Sequence, residues 1–159
     1  MDKSQVAPIL GKIVAGLYII SLKQQEKEMG FLASWVQQAG FEPPMLTIAF
    51  NKERKEAFSL LSLSGHLVVN IMAKENSKTM SRFFKPAPET GSIFDELETF
   101  KETTGIPILK DSLGFLECKY KSEMISGDHI IVLCEIINGK LLNTELQPST
   151  HIRPDGFKY

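Results

Sequence analysis

Residues 116–142, LECKYKSEMISGDHIIVLCEIINGKLL, decide the fold class of this chain. In the first half of the stretch, apolar and charged residues alternate with a period of two, which is typical of a strand with one face toward water. The triplet Ser126-Gly127-Asp128 supplies a turn, and residues 130–142 return as a second long strand. The stretch therefore predicts a long antiparallel hairpin.

The chain before the hairpin carries four more strand signals. Apolar runs predict strands at residues 17–22, 29–38, 45–50 and 67–72, the last of them apolar on both faces and so central in a sheet. Regular alternation of strands with helices is absent. The pattern therefore favours a mostly β fold, an antiparallel barrel with peripheral helices, over a doubly wound parallel sheet.

Helices are predicted at the periphery of this barrel. The first begins near Val6 and ends at Gly16, with Pro8 in its first turn. A second covers residues 53–63, with Ala57, Phe58, Leu60 and Leu61 expected to face inward. A short third one follows Asn76, which is a good N-cap residue. The remaining segments are predicted as a turn at 23–28, a loop at 85–91, and irregular chain at 92–110 with a short helix at 94–97.

Composition restricts the class of protein. With 159 residues, 43% hydrophobic and 23% charged, the chain fits a single globular domain covering residues 1–159. The 18 Lys and Arg residues nearly balance the 19 Asp and Glu residues, which argues against a nucleic-acid-binding protein. No apolar run reaches the roughly 18 residues of a membrane span. We therefore expect a cytoplasmic protein that binds neither nucleic acid nor membrane.

The two cysteines, Cys118 and Cys134, do not have the spacing of a metal site or of a disulfide scaffold. A hairpin turn centred near Ser126 brings them within about one residue of register. A cross-strand disulfide is therefore conceivable, but two small buried hydrophobic side chains are the favoured interpretation.

Several catalytic motifs are absent from the sequence, namely GxGxxG, the P-loop, GxSxG and HExxH. Three other segments remain as candidates for a site. They are ASWVQQAGFEPP at 33–44, NKER at 51–54 directly before a predicted helix, and GDH at 127–129 at the hairpin turn.

In their order and spacing, these segments resemble the flavin reductase-like family, the FMN-binding split barrels. The strand LVVN at 67–70, PIL at 107–109 and LEC at 116–118 extend the resemblance over most of the chain. The sequence looks most like the flavin reductase domain that ends cyanobacterial flavodiiron proteins, here expected to stand alone. Gly40 and Leu32 depart from the family pattern, because many members carry polar residues there.

The resemblance implies a Greek-key antiparallel barrel that forms a homodimer with one FMN per subunit near the dimer interface, FAD being a possible substitute. It also implies an NAD(P)H-dependent flavin reductase, in which hydride passes from NADH or NADPH to flavin N5. The electrons then continue to an acceptor, such as another protein, that the resemblance does not identify. An alternative is a non-enzymatic FMN-binding or electron-relay module. A third interpretation is a related split barrel that binds pyridoxamine phosphate or haem.

The resemblance also implies a set of binding residues. The cofactor-binding candidates are Ala33, Ser34, Trp35, Val36, Gln38, Ala39, Asn51, Lys52 and Arg54. Amide groups near Ser34 suit the flavin edge or the ribityl chain, and Trp35 suits a wall beside the ring. Lys52 and Arg54 precede a helix, where phosphate binds well, and the guanidinium fork favours Arg54. The alternatives are an ordinary strand serine, a core tryptophan and two solvated charges.

His129 is the candidate catalytic residue, expected to orient the hydride donor near the nicotinamide or flavin N5, since imidazole both donates and accepts protons near neutral pH. A turn-flanking histidine paired with Asp128 is the alternative. Lys85 is a weaker phosphate candidate, and Phe83 and Phe84 are expected in the core. The tail at 151–159 either packs over the partner subunit's flavin or forms a surface strand.

Overall fold

In the computed structural model, which describes residues 1–84, 88 and 91–158, one curled antiparallel sheet carries most of the core. A one-turn 3-10 helix covers Lys74–Asn76. The elements in chain order are α1 (Lys3–Gly11), β1 (Ala15–Gly16), β2 (Tyr18–Gln24), β3 (Lys27–Ala33), β4 (Val36–Phe41), β5 (Pro44–Asn51), α2 (Lys55–Ser64), β6 (His66–Ile71), α3 (Ser77–Arg82), β7 (Thr99–Phe100), β8 (Ile108–Leu109), β9 (Gly114–Ser126), β10 (His129–Leu141) and β11 (Thr150–His151).

The main sheet has the strand order β3-β2-β6-β9-β10-β5-β4, with every pair antiparallel. The β9–β10 hairpin forms as predicted, with Ser126 opposite His129 across the turn. Of the long strand β9, only the first half pairs with β6, and of β10, only the first half pairs with β5. The two halves of the sheet therefore meet along the hairpin and curl into the expected split barrel.

The barrel interior is filled by apolar side chains from both halves of the sheet. Strand β6 is buried on both faces, as its sequence predicts, since Leu67 and Val69 face the main core while Val68 faces a smaller cluster beside Phe115. Helix α2 covers the barrel with Ala57, Leu60 and Leu61, the face expected from its periodicity. No helix in the described part of the chain is long and apolar enough to cross a membrane.

The edge strands of the sheet, β3 and β4, are consecutive in the chain and are joined by Ser34 and Trp35 alone. The sequence predicted one continuous strand at 29–38, and this prediction is wrong. The chain leaves one edge of the sheet and enters the other at this link, so the barrel's seam lies there. A seam frees backbone groups from the hydrogen-bonded ladder and is the natural place for a ligand.

Other local predictions are corrected by the structure. Helix α1 ends at Gly11 instead of Gly16, and Pro8 lies within it rather than in its first turn. Residues 23–28 are mostly strand around a two-residue turn, and residues 94–97 form turns without a helix. The phosphate candidate Lys85, most of the predicted loop at 85–91 and the last tail residue Tyr159 lie outside the described residues.

Both cysteines are buried and free, which confirms their role as small hydrophobic side chains. Cys134 lies opposite Tyr120, and Cys118 lies opposite Ile136. Each cysteine is therefore further from the position opposite the other than the single residue that the sequence predicted. The offset arises because the hairpin turns between Ser126 and His129 and is not centred on Ser126, and the irregularity between Leu133 and Cys134 reduces it without removing it. The conceivable disulfide is therefore not formed.

Candidate functional site

A cleft of about 470 Å³ opens at the barrel seam, beside the link between β3 and β4. We call it the first cleft. Its walls are mainly apolar, and its polar groups come from the link and from the loop before α2. The lining residues are Leu17, Phe31, Leu32, Ala33, Ser34, Trp35, Ala49, Asn51, Glu53, Arg54, Phe83, Phe84 and His151.

The link itself is held by strand β5. The carbonyl oxygen of Trp35 accepts a hydrogen bond from the amide of Ala49, 3.0 Å away. Ser34 lies at the point where the ladder of β3 has ended and that of β4 has not begun. Its position gives the first cleft a hydroxyl group and backbone polar groups next to an apolar wall, which suits a planar heteroaromatic ligand.

The loop between β5 and α2 brings a guanidinium to the same cleft. The side chain of Asn51 accepts a hydrogen bond from the amide of Glu53 at 2.8 Å, and its carbonyl accepts one from the amide of Arg54 at 2.9 Å. This turn sets Arg54 at the N-terminus of α2, with its guanidinium 4.8 Å from the centroid of Phe31. A cation and the positive end of a helix dipole thus lie beside an aromatic wall, an arrangement that favours an anion such as phosphate.

A second cleft of about 350 Å³ contains the predicted catalytic histidine. Its lining includes the charged side chains of Asp128, Arg153 and Lys158 together with aromatic and aliphatic groups. The lining residues are Leu10, Ile13, Trp35, Asp128, His129, Arg153, Gly156, Phe157 and Lys158. Trp35 lines both clefts, so its indole forms a wall common to them.

His129 is only 5% exposed, and its ring centroid is 4.8 Å from that of Trp35, with the rings tilted by 42°. Its Nδ1 lies 2.7 Å from Oδ1 of Asp128. This hydrogen bond, followed by the charges of His129 and Lys52, lowers the pKa of Asp128 below its ordinary value. The carboxylate therefore remains ionised and fixes the orientation of the imidazole.

The predicted binding residues divide into two groups. Ala33, Ser34, Trp35, Asn51 and Arg54 meet in the first cleft although 33–35 and 51–54 are far apart in sequence. Trp35 is 38% exposed, so the alternative of a core aromatic does not hold.

The other four candidates do not line either cleft of the single chain. The ammonium of Lys52 donates to the carbonyl of Gly127 at 2.6 Å, which ties its loop to the hairpin turn. Val36 packs against the main core, and Gln38 and Ala39 lie exposed on β4. Their assignment as cofactor ligands stays a prediction.

Sequence reasoning missed several groups at these clefts. Phe83 is buried as expected, but Phe84 is 74% exposed at the first cleft, and Glu53 and His151 also line it. Arg153 lines the second cleft, with Cζ 5.2 Å from the centroid of the Trp35 ring. No local pattern marks these residues, apart from the tail's resemblance to a family pattern, because they reach the clefts only through folding.

Residues 10–156 match the family model described as "Flavin reductase like domain". Among curated proteins, the chain is 36% identical over 157 residues to "Diflavin flavoprotein A 1" of Synechocystis sp. (strain ATCC 27184 / PCC 6803 / Kazusa). The match covers 98% of this chain and 27% of that protein. The chain thus spans about a quarter of the length of this relative.

Solved structures share the fold. The NADH:FAD oxidoreductase SgcE6 of Streptomyces globisporus C-1027 superposes with a TM-score of 0.84 at 20% identity, covering 95% of this chain and 89% of that one. The flavin reductase HpaC, solved in complex with NADP⁺, gives a TM-score of 0.79 at 24% identity, covering 91% and 89% of the two chains.

Proposed function

Because the chain belongs to the flavin reductase-like domain family, we propose that it binds FMN in the first cleft and catalyses hydride transfer from NADH or NADPH to that flavin. The observation that carries the proposal is the meeting of Ser34, Trp35 and Arg54 in one cleft at the barrel seam. The structure's resemblance to an NADH:FAD oxidoreductase supports the same chemistry and keeps FAD as an alternative flavin.

The residues of the first cleft fit the parts of FMN. Phe31, Leu32 and Trp35 offer apolar surface to the ring system, and Ser34 offers a hydroxyl to the polar edge or the ribityl chain. Arg54, at the start of α2, offers its guanidinium to the phosphate. Each chemically distinct part of the cofactor therefore has a partner of matching polarity.

A bound flavin supplies an N5 atom that accepts hydride from the C4 atom of a reduced nicotinamide. The chain's contribution is to orient the two rings and to exclude water. His129 is buried against the indole of Trp35, which also lines the first cleft, and its Nδ1 is held by Asp128. This placement supports a role of His129 in orienting the donor beside the flavin. NADH and NADPH are both compatible with these residues.

We also propose that the chain functions as a homodimer. Ile131 and Leu133 alternate with the core residues of β10 and so lie on the outer face of the sheet, next to Met124 and Ala49 on the flanking strands. Met124 is 63% exposed in the single chain. An apolar outer face of this kind favours burial against a second copy. We expect the dimer to reside in the cytoplasm, where thiols such as Cys118 stay reduced.

The reductase proposal is tested by adding FMN to the purified protein and then NADH or NADPH without oxygen. We expect a yellow complex whose flavin absorbance is bleached by at least one nicotinamide. A protein that stays colourless with both FMN and FAD contradicts flavin binding.

A second candidate function is an electron-relay module, favoured by the match to only 27% of a diflavin flavoprotein. In that case the electron donor or acceptor is another protein or another domain. A yellow protein that neither nicotinamide bleaches, but that a chemical reductant bleaches, supports the relay over the reductase.

A further inference from the structure

The two ends of the chain are joined in a tight contact that we call the terminal clasp, formed by α1 and residues 153–158. The amide of Arg153 donates to the carbonyl of Gly11 at 3.0 Å, and the amide of Gly156 donates to the carbonyl of Ala7 at 2.8 Å. A Cβ atom on Gly11 would lie 2.2 Å from the Arg153 carbonyl oxygen, and one on Gly156 would lie 2.2 Å from Cβ of Leu10. Glycine at both positions is therefore what permits the contact.

The clasp fixes the side chain of Arg153. This residue is only 8% exposed, and its Nη1 donates to the carbonyl oxygens of Gly156 and Lys158, each at 3.3 Å. The same guanidinium contacts the indole of Trp35, with Cζ 5.2 Å from the ring centroid. A planar cation at this distance is attracted by the π-electrons of the indole. The clasp is thus connected to the barrel seam through one side chain.

The contact with Arg153 is important because Trp35 belongs to the link and lines both clefts. The backbone of Trp35 belongs to the two-residue link that is not part of either edge strand, and its ring is the wall common to the two clefts. The ring also contacts His129. A change in the position of the indole therefore alters the first cleft, the second cleft and the surroundings of the histidine together.

We propose that Arg153 is a positioning residue, which holds Trp35 in place as the wall between the two clefts and thereby sets the affinity for flavin. The part concerning flavin rests on the proposed function. The contact between Arg153 and Trp35 does not, and it is measurable in the protein without any cofactor.

The first test uses the fact that Trp35 is the only tryptophan in the chain. We would compare Arg153→Met and Arg153→Lys with the wild-type protein, well below their melting temperatures, by tryptophan emission and acrylamide quenching. We expect a changed emission maximum and stronger quenching in Arg153→Met. Arg153→Lys should show a smaller effect, because the charge remains while the planar stacking group is lost.

The second test measures the dissociation constant for FMN in the same variants. Loss of the guanidinium should weaken binding about tenfold in Arg153→Met and less in Arg153→Lys, as expected for a desolvated cation–π contact. Gly156→Ala, which loosens the clasp but keeps Arg153, should change Trp35 emission and FMN affinity in the same direction. Lys12→Met, which removes an exposed cation at the end of α1, is the matched control and should change neither.

Several outcomes would overturn the proposal. Wild-type quenching in a folded Arg153→Met protein would show that Arg153 does not hold Trp35. Weaker FMN binding with unchanged Trp35 emission would show that Arg153 acts directly on the ligand. If Arg153→Met does not fold, Arg153→Lys and Gly156→Ala decide by the same criteria. If the wild-type protein binds no flavin, the proposed function fails, and the quenching data alone still decide whether Arg153 positions Trp35.

Discussion

The ring centroids of Trp35 and His129 lie 4.8 Å apart. The first residue belongs to the link between the two edge strands, and the second begins the return strand of the long hairpin. Their contact brings a candidate cofactor wall and a candidate catalytic histidine together.

Arg54 is expected to bind the flavin phosphate. Arg54→Gln should weaken FMN binding by about tenfold to a hundredfold, which is the effect of losing hydrogen bonds to a charged group. Riboflavin, which lacks the phosphate, should bind the variant almost as well as it binds the wild-type protein. The measurement is flavin fluorescence titration with both ligands.

Lys52→Gln is the matched comparison for Arg54→Gln. Its ammonium already donates to the Gly127 carbonyl and does not line the first cleft, so we expect a smaller loss of FMN affinity. A larger loss for Lys52→Gln than for Arg54→Gln would reverse the assignment of the phosphate ligand.

His129 is expected to orient the hydride donor. His129→Asn should slow anaerobic reduction of bound flavin by roughly tenfold to a hundredfold, because misplacement of reacting groups by about 1 Å has effects of that size. FMN affinity should change less than the reduction rate, since His129 lines the second cleft and reaches the first only through its contact with Trp35. Stopped-flow absorbance at the flavin band measures the rate, and reduction at the wild-type rate would remove His129 from the catalytic role.

Glu117 is expected to make the free energy of unfolding depend on pH in the acid range. Burial raises the pKa of this carboxyl, but hydrogen bonds from Thr104, Asn138 and Thr103 outweigh it and hold the pKa below the ordinary value. The contacts are an amide and a hydroxyl of Thr104 at 2.7 and 2.6 Å, the Asn138 amide at 2.6 Å and the Thr103 amide at 3.1 Å. A depressed pKa in the folded state stabilises the protein above the unfolded-state pKa, and this stabilisation is lost as pH falls through the folded-state value.

Glu117→Gln should therefore lower the free energy of unfolding at pH 7 by about 1–3 kcal/mol. The difference from wild type should begin to shrink as pH falls below the ordinary glutamate pKa of about 4.3. It should disappear only at still lower pH, below the depressed folded-state pKa, where the wild-type carboxyl is also neutral. Urea denaturation at pH 7 and at a series of acid pH values measures the difference. A difference that is constant with pH would mean that the charge of Glu117 has no part in the effect.

The two cysteines are expected to be inert in the folded protein. Burial raises the pKa of the Cys134 thiol to about 12, and burial, with the nearby Cys134 and Glu117, raises the pKa of Cys118 further. Since the thiolate is the reactive form, a thiol reagent at pH 8 should modify neither residue until the chain is unfolded. Absorbance of the released reagent product counts the modified thiols, and rapid modification of the native protein would contradict their burial.

The outer face of the sheet is expected to form the dimer contact. Met124→Glu places a charge beside Ile131 and should convert a dimer into monomers in sedimentation velocity, without changing the melting temperature of the monomer. Ile125→Glu is the control, because Ile125 lies on the same strand, is also exposed, and faces the other way. If Ile125→Glu dissociates the dimer and Met124→Glu does not, the interface lies on the opposite face of the sheet.

Local patterns predicted much of the fold. The alternation in residues 116–126 and the turn at Gly127 are enough for a hairpin, because strand periodicity and turn chemistry act between neighbouring residues. The position of α2 and its buried face followed from the spacing of Ala57, Leu60 and Leu61. The break at Ser34 escaped detection, because nothing in the pattern of residues 29–38 distinguishes one strand from two that lie on opposite edges of a sheet.

The sequence by itself determined the antiparallel β class, the family, and the segments in which the candidate site residues lie. Only the tertiary structure decided that Arg54 rather than Lys52 reaches the first cleft, that Trp35 separates two clefts, and that Arg153 contacts it from the chain's far end. The physical reason is that periodicity reports which face of an element is apolar. The choice of neighbour for each polar group depends on how the sheet curls and where its edges meet, which involves contacts between residues distant in the chain.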